Sequence, residues 1–333
     1  MSIMDFSGKH FLVIGAGISG RAASLALAGH GGSVTLNDMK AIDTAEQPWP
    51  DIKAAGVQLV FGSQETALLD GMDVVVPSPV ISPEIPIMKE AARRGLPIWS
   101  EVEVACRVTD ADMIGITGTN GKTTTTTLVG EIMKATGRQT VVGGNIGYGL
   151  SAQADNLPKE AVVVAELSSF QLEFTHSIKA KAATILNITP DHLDRHHTME
   201  GYAAAKERIF LNQDKGDYAV LNYDDERVRA MAKDMTGTVV YFSTCGEVPE
   251  GAFYRDGQLI LRLHGQDTVV CAETDLHLFG KHNIQNCLAA ILLTYAAGAH
   301  LDVNLQVLNA FKGVEIRLEK VRTIHGVTYY NDS

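Results

Sequence analysis

Across 333 residues the chain carries 28 Lys and Arg against 39 Asp and Glu, a formal net charge of −11, with 45% hydrophobic side chains. That length leaves room for about two domains with ordinary cores, and the acidic balance argues against a broad nucleic-acid footprint. Cys106, Cys245, Cys271 and Cys287 form no CxxC pair, so neither a zinc knuckle nor a disulfide framework is indicated and a reducing cytoplasm is expected.

No signal-peptide pattern opens the chain, and no run approaches the ~18–20 apolar residues of a membrane span. The first predicted strand, 10–14, leads into Gly15-Ala-Gly17-Ile18-Ser19-Gly20, a helical stretch at 21–28 and a second strand at 33–36 that ends in Asn37-Asp38. This is a βαβ pattern with GxGxxG at its first turn, and Asp38 stands where an acid reaches a ribose hydroxyl. By themselves these residues fit a nicotinamide or flavin enzyme, or a glycine turn needed only for packing. Further strands are expected at 57–61 and 73–76, then a helix at 87–94 and a short apolar segment at 97–99. The alternation predicts a parallel, doubly wound domain over residues 1–100, with 101–106 as a connecting segment.

From Met113 a second series begins with Gly115-Ile-Thr-Gly118-Thr119-Asn120-Gly121-Lys122-Thr123-Thr124. Glycines at 118 and 121 let successive N–H groups turn toward anionic oxygens at a helix start. Lys122 brings a full charge for β- and γ-phosphates, and Thr123 a hydroxyl for Mg²⁺. A plain surface turn explains the run of threonines poorly, because β-branched residues are weak helix formers.

Apolar strand runs follow at 140–142, 161–166, 183–187 and 218–222, most ending in polar or glycine residues where a parallel sheet presents its ligand edge. Glu166 ends one of them, a hard oxygen ligand for Mg²⁺ or a solvated charge. Asn187-Ile-Thr-Pro-Asp191-His192-Leu-Asp194-Arg-His196-His197 reads as a polar loop with one functional histidine, or as a dinuclear metal cluster whose order fits poorly. Lys206 lies on a predicted helix, where a solvated lysine is the default. Alternating runs at 239–242, 258–262 and 267–271 suggest a small antiparallel excursion. Asn283 and Asn286 open a helix at 283–297, either capping it or reaching a purine, and 321–331 reads as strand, turn, strand.

In order and spacing, Gly118-Thr-Asn-Gly-Lys122-Thr-Thr, Gly144-Asn145-Ile-Gly, Glu166-Leu-Ser168-Ser-Phe-Gln171, Asp191-His192-Leu-Asp-Arg-His196, Lys206 and His282-Asn283-Ile-Gln-Asn286 resemble the Mur ligase family. Its members are ATP-dependent amide-forming ligases of peptidoglycan precursor synthesis, and folylpolyglutamate synthetase is a relative. The resemblance covers essentially the whole chain. Gly15–Gly20 with Arg21, Asp38, Ser100-Glu-Val-Glu103, Arg317 and Asp332 are similar to the branch that joins D-glutamate to UDP-N-acetylmuramoyl-L-alanine.

This resemblance implies a Rossmann-like uridine-nucleotide domain at 1–100, a P-loop-type ATP-binding α/β domain at 101–312, and the start of a third, C-terminal domain at 313–333. Gly118, Thr119, Asn120, Gly121, Lys122, Thr123, Thr124, Asn283, Asn286, Arg317 and Asp332 would hold ATP. Gly15, Gly17, Ile18, Ser19, Gly20, Asp38, Ser78, Asn145, Ser168, Gln171 and His192 would hold the UDP-muramoyl substrate. Thr123, Glu166, His192 and a carbamylated Lys206 would serve Mg²⁺, with Lys122, Asn145, His192 and Lys206 as the catalytic set.

The resemblance implies a cytoplasmic monomer with small-molecule partners and neither membrane nor nucleic-acid partner, serving cell-wall biogenesis, cell shape and division. Two departures qualify it. Ser78-Pro79-Val80-Ile81 replaces the family's Ser-Pro-Gly-Ile, and valine tolerates positive φ badly, so this loop is expected to differ. The third domain is represented only by its start, so nucleotide and substrate binding with little ligation is the expectation for this chain. A dinucleotide oxidoreductase, resting on residues 15–38, and a non-catalytic UDP-sugar or ATP-binding regulator stand as the other readings.

Overall fold

The computed structural model describes residues 3–278, 280–314, 319–324 and 327–331; Arg317, Asp332 and the expected turn at 325–326 lie outside them. The chain opens with β1 (His10–Ile14), α1 (Ile18–Gly29), β2 (Ser33–Asp38), α2 (Trp49–Ala54), β3 (Gln58–Phe61), β4 (Val74–Pro77), α3 (Pro86–Arg93) and α4 (Glu101–Arg107). Next come β5 (Asp112–Thr117), α5 (Lys122–Ala135), β6 (Thr140–Gly144), α6 (Leu150–Ala154), β7 (Val162–Glu166), α7 (Ser169–Glu173), β8 (Ala182–Ile185), α8 (Leu193–His196) and α9 (Met199–Glu207). The remainder holds β9 (Tyr218–Asn222), α10 (Glu226–Ala230), β10 (Thr238–Ser243), β11 (Gly251–Arg255), β12 (Gln258–Leu263), β13 (Gln266–Ala272), α11 (Lys281–Ala296), α12 (Leu301–Ala310), β14 (Glu319–Ile324) and β15 (Val327–Asn331).

Contacts divide the chain into two compact units that interleave along the sequence: 1–113, 141–179 and 190–212 form one, and 114–140, 180–189 and 213–333 the other. The first unit contains an all-parallel sheet in the order β3-β2-β1-β4. Its strands are apolar on both faces, as sheets covered by helices on both sides require. Phe11 and Val13 of β1 share one core with Val34, Leu36, Val74 and Val76, packed under Ala23, Ala26 and Leu27 of α1. Leu12 and Ile14 point the other way, into a core with Val75 and with Ile87, Met88 and Ala91 of α3. The alternation of a single strand thus fixes which helix lies on which face.

In the second unit β5, β8, β9, β10 and β11 pair in parallel in that order, and β11, β12 and β13 continue antiparallel. The strand at 239–242 therefore belongs to the parallel part, and the antiparallel excursion starts at β11, which the sequence pattern did not show. Gly251 explains the entry: its φ is +135°, and a Cβ there would stand 1.9 Å from the Tyr241 carbonyl oxygen. Residues 97–99 make only an isolated bridge, Ile98 to Val75, because Pro97 cannot donate to a ladder. No helix among the described residues is long and apolar enough to cross a membrane.

The expected connecting segment is helical and buried. Ser100 Oγ caps α4 by accepting from Glu103 N–H at 3.1 Å. Buried Glu103 accepts from Arg107, from the N–H groups of His176 and Ser177, and from Ser177 Oγ. Glu101 is less completely satisfied. Its Oε1 accepts from Ser151 N–H and Oγ at 2.5 and 2.6 Å, while its Oε2 is buried with no hydrogen-bond partner. Burial pushes this acid up from 4.5 to about 7, against the pull of the two Ser151 bonds.

Folded Glu101 therefore keeps a proton that the unfolded chain releases between pH 4.5 and about 7, so its contribution to stability is present at low pH and lost across that window. In urea unfolding, Glu101→Gln should gain on wild type by up to about 3 kcal/mol between pH 4.5 and 8. A difference that does not change with pH would contradict the assignment.

Candidate functional site

The first glycine loop joins β1 to α1. Gly15 has φ +97°, and a Cβ on it would lie 2.7 Å from Ser78 Oγ; one on Gly20 would lie 1.8 Å from the Gly15 carbonyl oxygen. Gly17 is different, with φ −71° and nothing within 4 Å of its Cβ position. Neither backbone strain nor packing requires glycine at 17, the N-cap of α1, and the space beside it would admit an outside body. Ser78 Oγ donates to the Gly15 carbonyl at 3.1 Å, and Asp38 Oδ2 accepts from Ala16 N–H at 2.8 Å while Oδ1 accepts from Lys40 N–H. Asp38 thus holds the loop itself. Ile18 is exposed and Ser19 half-buried at the start of α1. Val80 adopts no positive φ and stands 82% exposed, so the Ser-Pro-Val-Ile turn is built without the conformation a glycine would permit.

The same unit carries an amide and carboxylate pair at the ends of β6 and β7. Asn145 N–H donates to the Glu166 carbonyl at 2.8 Å and Asn145 Nδ2 to Glu166 Oε1 at 2.9 Å. The approach is so close that a Cβ on Gly144 would lie 2.3 Å from the Glu166 carbonyl oxygen. Glu166 is 1% exposed and its Oε2 is buried without a hydrogen-bond partner. A buried carboxylate oxygen left open fits a hard cation. Among the described residues, no group of three His, Cys, Asp or Glu is gathered closely enough to hold a metal by itself. One carboxylate is nevertheless sufficient for Mg²⁺ that takes its other ligands from phosphate and water.

Directly after β7, Ser168 and Gln171 form a capping box at the start of α7. Ser168 Oγ accepts from Gln171 N–H, and Gln171 Oε1 accepts from Ser168 N–H at 3.0 Å. Gln171 is buried and its amide oxygen is used by the cap. His192 is the N-cap of α8, exposed, with φ +51°. Its ring lies 4.8 Å from that of Phe170, which also neighbours His196. His196 meets Ser169 Oγ at 2.9 Å, and burial holds its pKa below the usual histidine value. Lys206 is no surface lysine: it is 2% exposed, with Nζ 4.6 Å over the Tyr202 ring.

In the second unit the loop before α5 carries the other glycine constraints. Gly118 has φ +153° and Gly121 +84°, and Gly121 is the N-cap of α5, whose first turn holds no acid. The leading N–H groups of α5 and its dipole would therefore meet an anion here without repulsion from an acid in its own first turn. Lys122 Nζ crosses the loop to the carbonyls of Gly118 and Thr119 at 3.0 and 2.8 Å. Thr123 and Thr124 are half-buried on the first turn of α5. Thr119 N–H donates to the Asn187 carbonyl at 3.0 Å and Asn120 N–H to Asn187 Oδ1 at 2.9 Å, so the loop rests on the segment after β8. Asn283 and Asn286 do not cap α11. Asn286 Nδ2 donates to Asn283 Oδ1 at 3.1 Å, and a Cβ on Gly121 would strike Asn286 Oδ1 at 2.5 Å.

Asn187, Thr189, Glu101 and Arg195 were given no role in the sequence, although Asn187 and Thr189 hold the loop before α5, Arg195 the turn at 78–81, and Glu101 the start of α6. A polar pair directly after an apolar strand end is the signal that marks Asn187 and Thr189. Glu101 and Arg195 stand inside motifs that carry the resemblance, but their partners lie many residues away and no local pattern shows them.

A family model described as the Mur ligase middle domain matches residues 116–294. The UDP-N-acetylmuramoylalanine-D-glutamate ligase of Pelotomaculum thermopropionicum is 44% identical over 331 residues, which is 99% of this chain and 73% of that protein. The ligase of the same name from Desulfitobacterium hafniense strain Y51 is 45% identical over 99% of this chain and 72% of its own length. Among solved structures, a murein peptide ligase from Psychrobacter arcticus superposes with a TM-score of 0.61 at 18% identity, covering 98% of this chain and 73% of that one. A UDP-N-acetylmuramate-alanine ligase from Thermotoga maritima gives 0.55 at 21% identity, covering 97% and 74%. The structural likeness is one of fold.

The glycine geometry separates two substitutions. Gly20→Ala should lower thermal stability by several degrees, because a backbone oxygen must move out of its way. Gly17→Ala should melt as wild type does and lose affinity for UDP in calorimetric titration. Unchanged UDP affinity in a folded Gly17→Ala protein would contradict a diphosphate at this loop.

Proposed function

The chain belongs to the Mur ligase family of ATP-dependent amino-acid ligases, and from that premise we propose that it joins D-glutamate to UDP-N-acetylmuramoyl-L-alanine. The relatives named for that reaction supply the substrates. The observation that carries the reading is the presence of two separate glycine turns at helix starts, at 15–20 and 118–123, together with a buried carboxylate left open at Glu166. A dehydrogenase has no use for the second turn. Four free thiols and no long apolar helix among the described residues suit a cytoplasmic enzyme.

In the proposed reaction the substrate's alanyl carboxylate attacks the γ-phosphorus of ATP and ADP leaves. The amine of D-glutamate then attacks the acyl phosphate, inorganic phosphate departs, and the amine proton is released as the amide forms. Both steps need alignment and charge neutralisation more than a protein nucleophile. Lys122 and the amides of 118–123 hold the phosphates, exchanging the loop carbonyls that Lys122 now touches for phosphate oxygens. Asn283 and Asn286, with Arg317 and Asp332, serve the adenine nucleotide. Gly15 to Gly20 hold the uridine diphosphate, and Asp38 acts by fixing that loop.

Asn145, bonded to Glu166, orients the reacting carboxylate, and His192 with Ser168 takes the muramoyl-alanyl end. In the first unit Glu166 and His192 would serve Mg²⁺, and in the second Thr123 would offer its hydroxyl to Mg²⁺ on the phosphates; the ion, when bound, neutralises phosphate charge. Lys206 is proposed to be carbamylated, which turns its ammonium into an anion able to hold or orient Mg²⁺.

Three outcomes test this. With ATP, Mg²⁺ and UDP-N-acetylmuramoyl-L-alanine, any adduct that mass spectrometry detects over an amino-acid panel should be the one with D-glutamate; preference for L-lysine or diaminopimelate would contradict the acceptor. Lys122→Ala should weaken Mg-ATP binding by roughly 2 kcal/mol while UDP affinity stays unchanged. Carbon-13 NMR in labelled bicarbonate should show a carbamate resonance that Lys206→Gln lacks, and the same signal in both proteins would rule out Lys206 as its source.

A further inference from the structure

Arg195 lies three residues after His192 and is the most heavily bonded side chain of the 190–197 loop. Its Nη1 donates to the carbonyls of Pro79 and Ile81 at 3.2 and 2.9 Å. Its Nε and Nη2 donate to Glu173 Oε2 at 3.1 and 2.8 Å. The guanidinium face lies 4.6 Å over the Phe170 ring. All these partners belong to the same compact unit, and the arginine side chain is 10% exposed.

Each partner leads to a different part of the site. The turn at 78–81 is closed by Ile81 N–H donating to the Ser78 carbonyl at 2.9 Å. Ser78 in turn donates through Oγ to Gly15, the first residue of the glycine loop. On the other side Phe170 packs against His192 at 4.8 Å, and Glu173 ends α7, which the Ser168 and Gln171 box begins. One planar cation therefore ties the turn behind the diphosphate loop to the ring that holds His192. Its two acceptor sets lie on opposite edges of the guanidinium, so the fork fixes a distance as well as a contact.

We propose that Arg195 is a positioning residue that sets the separation between the diphosphate loop and the His192 end of the site, and so selects UDP-linked ligands by the length of the group attached beyond the diphosphate. The inference rests on the uridine-nucleotide reading of the first glycine loop. A ligand that reaches both ends gains from their fixed spacing, because the protein no longer has to order one end against the other. UDP alone occupies one end and gains nothing from it.

Calorimetric titration of wild type, Arg195→Ala and Arg195→Lys with UDP and with UDP-N-acetylmuramoyl-L-alanine tests this. UDP should bind all three proteins within about twofold, which also reports an intact glycine loop. The advantage of the longer ligand over UDP should fall about tenfold in Arg195→Ala. Arg195→Lys should not restore it, since an ammonium lacks the planar fork. An undiminished advantage in Arg195→Ala, full rescue by lysine, or equal loss of both ligands would overturn the proposal. Wild type that binds UDP with no gain from the extension would overturn it and leave the uridine reading standing. Wild type that binds neither ligand would overturn that reading, and the role of Arg195 with it.

Discussion

A Cβ on Gly20 would stand 1.8 Å from the Gly15 carbonyl oxygen, and one on Gly121 would stand 2.5 Å from Asn286 Oδ1. At both places a strand turns into a helix with no room for a side chain, and the tightness brings the first N–H groups of α1 and α5 to the surface of the turn. Amides arranged in this way carry partial positive charge without needing to be desolvated or moved. The rest of each unit serves that arrangement. Asp38 and Ser78 pin the first loop, while Asn187 and Asn286 press on the second. Gly17 carries no such constraint, which is why its substitution separates ligand binding from folding.

Glu166 shows the opposite arrangement. Burying a carboxylate with one oxygen unpartnered costs stability that a neutral isostere would recover. The surroundings deepen the commitment: Asn145 is locked to both the side chain and the backbone of Glu166, and Gly144 is pressed onto its carbonyl. Giving up stability at one strand end, with an amide held beside it, is the kind of local conflict expected at functional sites, and it supports the proposed role of Glu166. Glu101 repeats the pattern: Ser151 meets only one of its oxygens, and the group answers by holding its proton to higher pH.

The part of the fold legible in the sequence rests on short-range physics. The odd and even residues of β1 divide between two cores, as an apolar strand covered on both sides must, and both glycine turns declare themselves by spacing. The hidden part depends on partners distant in the chain. The parallel pairing of β10 with β11 turns on Gly251 meeting Tyr241, which no local pattern announces. Lys206 follows three alanines on a helix with no apolar stripe to mark it as buried, and Arg195 finds its acceptors at 79, 81 and 173. Asn283 and Asn286 read from sequence either as caps or as groups reaching a purine, and their bond to each other, with Asn286 braced on the loop at 118–123, is a contact no local pattern shows. Loops on this protein are specified by side chains that fold them from afar, and such contacts have no periodicity to read.

The central claim is that one chain holds two nucleotides at two independent turns, uridine diphosphate at 15–20 and adenosine triphosphate at 118–123. Native mass spectrometry with UDP and a non-hydrolysable ATP analogue in Mg²⁺ tests it most directly. A ternary complex carrying one of each, in which Gly17→Ala removes only UDP and Lys122→Ala only the ATP analogue, is the predicted result. Mutual exclusion of the two nucleotides, or loss of both from either substitution, would contradict the account.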